Sequence, residues 1–185
     1  MNKSFKANIW KMCLFKFFSS LYFLDGVLIP FFTDWGKINF TQIMFLQSWF
    51  MLWVFLLEIP TGAVADYLGR KHSLIMACVV WIIASIVYGS VPSFYIFLFG
   101  EFLWAMAYAL LSGADDAFIY DTLKKIGKSK KSKKIFGRIS SFHLAGFMLG
   151  APIGSIIGAY FGLRIPVLLM TIPFTLAFIV GMTFK

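Results

Sequence analysis

Gly62-Ala63-Val64-Ala65-Asp66-Tyr67-Leu68-Gly69-Arg70-Lys71, preceded by Glu58-Ile59-Pro60-Thr61, lies between two long apolar runs and decides how the rest of the chain is read. The pattern is G-x-x-x-D-x-x-G-R-K. A short basic connection between two membrane helices accounts for Arg70 and Lys71, because positive charge sets membrane topology. It does not account for Gly62, Asp66 and Gly69 at these intervals.

The composition around this stretch is that of a membrane protein. Of 185 residues, 60% are hydrophobic and 14% charged, against about 45–50% and about 25% in soluble domains. The net charge of +9 does not point to nucleic acid, because the basic residues cluster in short segments between apolar spans. Cys13 and Cys78 fall inside spans, so neither a disulfide nor a metal site is implied. Lys3 and Lys6 before an apolar stretch imitate a signal peptide, but no small-residue cleavage site follows, so the stretch reads as an uncleaved first helix.

Apolar stretches of about 20 residues can cross the roughly 30 Å hydrocarbon core as helices. Six are legible, over 12–32, 39–64, 73–91, 94–119, 138–162 and 165–184, with a basic loop over 120–137. The expected fold class is therefore an all-α membrane protein in which residues 1–185 form a single six-helix bundle. Trp35-Gly36, Val91-Pro92-Ser93 and Gly162-Leu163-Arg164 turn the three hairpins on one side. Lys3, Lys6, Arg70, Lys71, Lys124, Lys125, Lys128, Lys130, Lys131, Lys133, Lys134 and Arg138 gather on the other, which leaves Lys37 and Arg164 opposite. Both termini are then expected in the cytoplasm.

The ten-residue pattern and its flanks resemble the signature loop between the second and third helices of the major facilitator superfamily of secondary transporters. Ser112-Gly113-Ala114-Asp115-Asp116-Ala117, followed by Tyr120-Asp121, is similar to uncharacterised bacterial and archaeal exporters of that superfamily, which implies a prokaryotic cell membrane. The resemblance implies one bundle of a two-bundle fold, with a second six-helix half supplied by a missing C-terminal part, a separate chain or a second copy. It also implies that Gly62 lets another helix approach closely. The Asp66 carboxylate would meet the positive end of a helix dipole in the other half. Within this half Asp66 should engage Arg70 or Lys71, and Asp121 should pair with Arg70. Gly62, Asp66, Gly69, Arg70, Lys71 and Asp121 would thus form a conformational latch, the alternative being a static tether.

Acids inside the membrane carry the second line of argument, since a charge at the bilayer centre costs about 2.5–3.5 kcal/mol on insertion scales. Asp25 in the first span and Glu101 in the fourth fall at similar depth, on helices that line the central cavity in the family. Two carboxylates there could share a proton, which suits proton coupling and also a cationic substrate. At about 100° per residue, Glu101, Tyr108, Ser112 and Asp115 share one face of the fourth span. Relatives often carry Arg in that span's outer half, where this chain has Glu101. Lys11 and Lys16 are expected to snorkel to the interface, and His72 and His143 to lie near it.

Gly146, Gly150, Gly154, Gly158 and Gly162 recur every fourth residue through the fifth span, with Pro152 among them. Such a ridge lets another helix pack at backbone distance. It resembles the Gly-Pro-rich fifth-helix motif of the family's antiporters, interrupted by Ala151. An isolated bundle is expected to present this ridge bare to lipid. Asn39-Phe40-Thr41 matches a glycosylation sequon and is read as accidental.

The function expected is the N-terminal half of a proton-coupled exporter of a small organic molecule or drug, working by alternating access. Its partners would be membrane lipid, the substrate, protons and the second half. The alternative is a non-transporting or degenerate half acting as a membrane interaction subunit. No enzyme motif of the Gly-x-Ser-Gly, His-Glu-x-x-His or spaced-Asp type occurs, and no cofactor is implied.

Overall fold

The computed structural model describes residues 3–127 and 129–185. Lys128 of the basic segment lies outside the described residues, as do the side chains of Lys3, Lys6 and Lys130. The described chain is helical without a strand, and five helices are long and apolar enough to cross a membrane, or six if a bent pair forms one span.

The bent pair is the first span, where a single helix over 12–32 was expected. A helix Lys3–Ser19 ends, short turns follow at Leu24–Gly26 and Leu28–Pro30, and residues Phe31–Trp35 wind more loosely; Ala7–Gly26 and Leu28–Trp35 meet at 64°. The causes are local. Ser19 and Ser20 turn their hydroxyls back onto the Lys16 carbonyl, at 3.3 and 2.6 Å, which competes with continued helix. Pro30 has no N–H to give the Gly26 carbonyl. Ser155 Oγ donates to that carbonyl instead, at 2.9 Å, so the acceptor that the proline leaves over is satisfied.

The signature decade is not a loop. The second span runs Phe40–Leu68 and the third Arg70–Tyr88, so Gly62 to Leu68 complete one helix and Arg70 opens the next. Gly69 alone makes the turn, at φ +93°, a backbone conformation that favours glycine. Asn39 caps the second span in a reciprocal box with Gln42, each side chain bonding the other's backbone N–H at 2.9 Å. That cap is the physical reason for asparagine in the apparent sequon.

The fourth span is Phe94–Ser112 followed, after a break at Gly113-Ala114, by Asp115–Lys125. It runs past the expected end at residue 119, which puts Asp121, Lys124 and Lys125 on helix. The fifth, Ser132–Phe161, also starts early, so the basic loop shrinks to the short connection between Lys125 and Ser132. The sixth is Arg164–Leu169 continued by Thr171–Met182, and Arg164 Nε donates to the Gly89 carbonyl at 2.5 Å, tying two hairpin turns together.

The fifth span's glycines are consumed inside the bundle, which corrects the bare ridge. A Cβ at Gly146 would strike the Phe17 carbonyl, one at Gly150 the Tyr22 backbone, one at Gly154 the Phe23 carbonyl and one at Gly158 Val27. The broken first span thus lies along the ridge at backbone distance. Gly162 is not part of it: its φ of +93° ends the helix and nothing lies within 4 Å of an added Cβ. Pro152 faces outward.

Two buried apolar clusters divide the bundle. One, around Met12, Phe15, Leu74, Phe118 and Phe184, fills the end carrying Arg70 and the lysines, hereafter the basic end. The other, around Phe31, Trp81, Tyr88, Phe97 and Phe174, fills the opposite end.

Candidate functional site

A cavity of about 310 Å³ lies among the spans, nearer the end opposite the basic one, and every span contributes to its wall. The first gives Tyr22, Asp25 and Phe32, the second Gln47 and Phe50, the third Trp81 and Tyr88. The fourth gives Glu101, Trp104 and Tyr108, the fifth Phe147 and the sixth Met170. Asp25 sits on the short Leu24–Gly26 turn, just ahead of the bend.

The structure brings Asp25 and Glu101 to one cavity without joining them. Asp25 is exposed to the space and forms no hydrogen bond or ion pair among the described residues. Glu101 is 6% exposed; Gln47 Nε2 donates to its Oε1 at 3.5 Å and the Tyr88 phenol lies against it. Gly100 makes room for that phenol, since a Cβ there would strike the Tyr88 ring. Trp49 Nε1 donates to the Leu98 carbonyl at 3.1 Å, fixing the second span against the fourth near Glu101. Gln47 and Tyr88 were not singled out in the sequence. An amide well inside an apolar run is the signal that could have found Gln47, whereas Tyr88 had none, being one aromatic among many.

The polar face expected on the fourth span divides. Glu101 and Tyr108 line the cavity. Ser112 does not: its hydroxyl bonds the Ala109 carbonyl at 3.3 Å. Asp115, beyond the break at Gly113-Ala114, forms an ion pair with Lys16, their side chains 11% and 15% exposed. Lys16 therefore turns inward to a counter-charge rather than snorkelling. A buried pair survives only when charges meet so closely.

At the basic end a second cavity, of about 500 Å³, is bordered by Asp66, Gly69, Arg70, Lys71, His72 and Asp121. Arg70 Nη1 pairs with Asp121 and donates to the Ala117 carbonyl at 3.0 Å. Asp66 is exposed and takes neither Arg70 nor Lys71, contrary to expectation. Lys71 instead reaches the end of the sixth span, donating to the Met182 and Phe184 carbonyls at 3.0 and 2.6 Å. Lys11 donates to Thr183 O and Asn8 to Lys185 O, both at 2.6 Å. The last carbonyls of a helix have no partner within it; here Met182 at the helix end and Thr183, Phe184 and Lys185 just beyond it take donors from the first and third spans. Gly62 packs its inner side near Gly113, with nothing within 4 Å of an added Cβ.

A sequence profile described as the Major Facilitator Superfamily matches residues 13–185. The chain is 27% identical over 123 residues to the D-xylose-proton symporter-like 3, chloroplastic, of Arabidopsis thaliana, covering 66% of this chain and 21% of that protein. It is 26% identical over 144 residues to Multidrug resistance protein 2 of Bacillus subtilis, covering 76% of this chain and 35% of that protein. The chain thus spans a third or less, roughly, of these relatives' lengths.

Proposed function

The chain belongs to the Major Facilitator Superfamily, and from that membership we propose that it is one six-helix half of a proton-coupled secondary transporter that exports a small organic molecule or drug. The observation that carries the proton coupling is the pair Asp25 and Glu101 in one cavity walled by all six spans, with no cation among its lining residues. Two bare carboxylates in low dielectric are costly unless a proton or a cation joins them. A carboxyl that is protonated on one side of the membrane and released on the other couples the two movements. Gln47 and Tyr88 orient the Glu101 carboxyl, while Trp81, Trp104, Tyr22 and Phe50 give the substrate an apolar and aromatic wall.

The Arg70–Asp121 pair ties the third span to the inner end of the fourth and serves as the latch, made and broken as two halves rock. A second half fits against the second and fifth spans, which bury the smallest shares of their apolar stretches, 11% and 22%. The open side of Gly62 lies on the second span. In this reading the basic end, and both termini, face the cytoplasm. One relative's name cites a proton symporter and the other multidrug resistance, which supports proton coupling and a small organic substrate as the classes to test.

The test is flux in liposomes holding this chain together with a complementary half. An imposed pH gradient should drive movement of a labelled pentose or a fluorescent organic cation, and a protonophore should stop it. The chain reconstituted alone should show no gradient-driven flux. Flux of both probes that ignores the gradient would contradict proton coupling, and robust flux from a cross-linked dimer of this chain would replace the second half by a second copy.

A further inference from the structure

Between the cavity and the basic end, charged groups from three spans converge. Lys16 of the first span and Asp115 of the fourth form their ion pair here, and Asp115 Oδ1 also accepts the Asp116 backbone N–H at 2.6 Å. His143 of the fifth span lies close enough to feel both charges. Its Nδ1 is within hydrogen-bond distance of Ser20 Oγ, and Ser20 Oγ donates to the Lys16 carbonyl at 2.6 Å. With the single hydroxyl proton given to that carbonyl, Ser20 Oγ accepts from His143 Nδ1–H, which leaves Nε2 as the free base.

Position sets this cluster apart from a simple staple. His143 stands one helical turn from Phe147, a wall residue of the cavity, on the same face of the fifth span and toward the basic end. The imidazole is exposed where Lys16 and Asp115 are buried. The cluster also lies where two spans are broken, at 20–23 in the first and at Gly113-Ala114 in the fourth. A static tether needs the ion pair alone, without a titratable ring with one edge open.

We propose that Lys16, Asp115 and His143 form a second proton-binding station below the cavity, in which His143 Nε2 takes the proton and the ion pair sets how tightly it is held. The ring reaches the pair's first span through Ser20, which bonds both His143 Nδ1 and the Lys16 carbonyl, so an imidazolium there would be felt by the Lys16–Asp115 pair. The charges near the ring are Lys16 from the first span and Asp115, with Asp116 beside it, from the fourth. On its own helix Arg138 is turned away, its guanidinium 4.8 Å from the centre of the Trp10 ring. Asp25 stands in the cavity, on the turn packed against the glycine ridge. The station's part in transport rests on the functional reading above; proton binding itself does not.

The chain holds two histidines, so His72→Gln leaves one imidazole and a nitrogen-15 histidine NMR titration of the protein in nanodiscs reads it directly. His143 should titrate between about pH 4 and pH 9. The midpoints in Asp115→Asn and Lys16→Met should fall on opposite sides of the parent's, each by roughly threefold or more in proton affinity. Where those variants do not fold, the carbon-13 carboxyl resonance of Asp115 in the parent carries the test and should move with the His143 midpoint. A ring that stays neutral throughout, or one whose titration touches neither Asp115 nor the variants' midpoints, overturns the proposal. In liposomes that hold the chain together with its complementary half, His143→Gln should displace the pH profile of gradient-driven flux. Absent flux in the parent would sink the transport reading while leaving the NMR result standing.

Discussion

The two ends of this bundle treat charge in opposite ways. Toward the basic end Lys16 meets Asp115, Arg70 meets Asp121 and Lys71 meets helix-end carbonyls. In the cavity, about 20 Å along the fourth span from Asp115 by the helical rise, Asp25 and Glu101 face one space that no cation lines. Each of these three cations has a partner on another span, although Asp66 beside them stays open. The cavity carboxylates lack such a match, which is the condition for a group that must exchange its partner. The glycines repeat the contrast: the fifth span's ridge is filled by the chain's own first span, whereas the outer side of Gly62 is open.

Removing one member of the buried pair should have the largest effect. Asp115→Ala leaves Lys16 without its counter-charge and should cost about 3–5 kcal/mol in reversible unfolding, while Lys16→Met with Asp115→Leu together should stay within about 1–2 kcal/mol of the parent. Equal, small losses in both would mean that the pair is solvated and the contrast between the ends is weaker than drawn. Next comes the ridge: Gly154→Ala pushes a methyl into the Phe23 carbonyl and should destabilise by about 1–3 kcal/mol, as overpacking does. Arg70→Ala removes a pair whose side chains are 32% and 49% exposed, so stability should fall by no more than about 1 kcal/mol. Turnover should nonetheless drop about tenfold, or 1.4 kcal/mol in barrier, because the latch is lost; unchanged turnover would leave Arg70 a tether. The smallest effect is expected at Gly62→Ala, where the methyl meets open space. It should stabilise the chain's second span by up to about 1 kcal/mol, and a loss of flux on adding the second half would locate the contact between halves.

The sequence was most legible where composition alone decides, and least where two spans interact. Six spans, the family and the pairing of Arg70 with Asp121 follow from apolar runs and one spaced motif. The break in the first span was signalled by Gly26, Pro30 and the paired serines, yet an apolar run long enough to cross the membrane masks them. Asp115 was expected on one face with Glu101, but it lies past the interruption at Gly113-Ala114 and pairs with Lys16, a partner the helical face alone does not reveal. Asp66 was expected to engage Arg70 or Lys71, whereas the partners of Lys71 lie more than a hundred residues away, at the end of the sixth span. Likewise the ridge announced close packing without naming its occupant, because a small-residue stripe carries no record of the backbone that fills it.

The central claim is that Asp25 and Glu101 couple protons to substrate movement, and it is tested most directly in liposomes containing the protein with its complementary half. The quantity to measure is the ratio of uptake driven by a pH gradient to exchange without one, for Glu101→Gln, Asp25→Asn and the double variant. The account predicts that Glu101→Gln lowers this ratio by about 100-fold or more, about 2.7 kcal/mol of lost coupling, and that Asp25→Asn lowers it or displaces its pH optimum. An undiminished ratio at every pH in both single variants and in the double variant would contradict it.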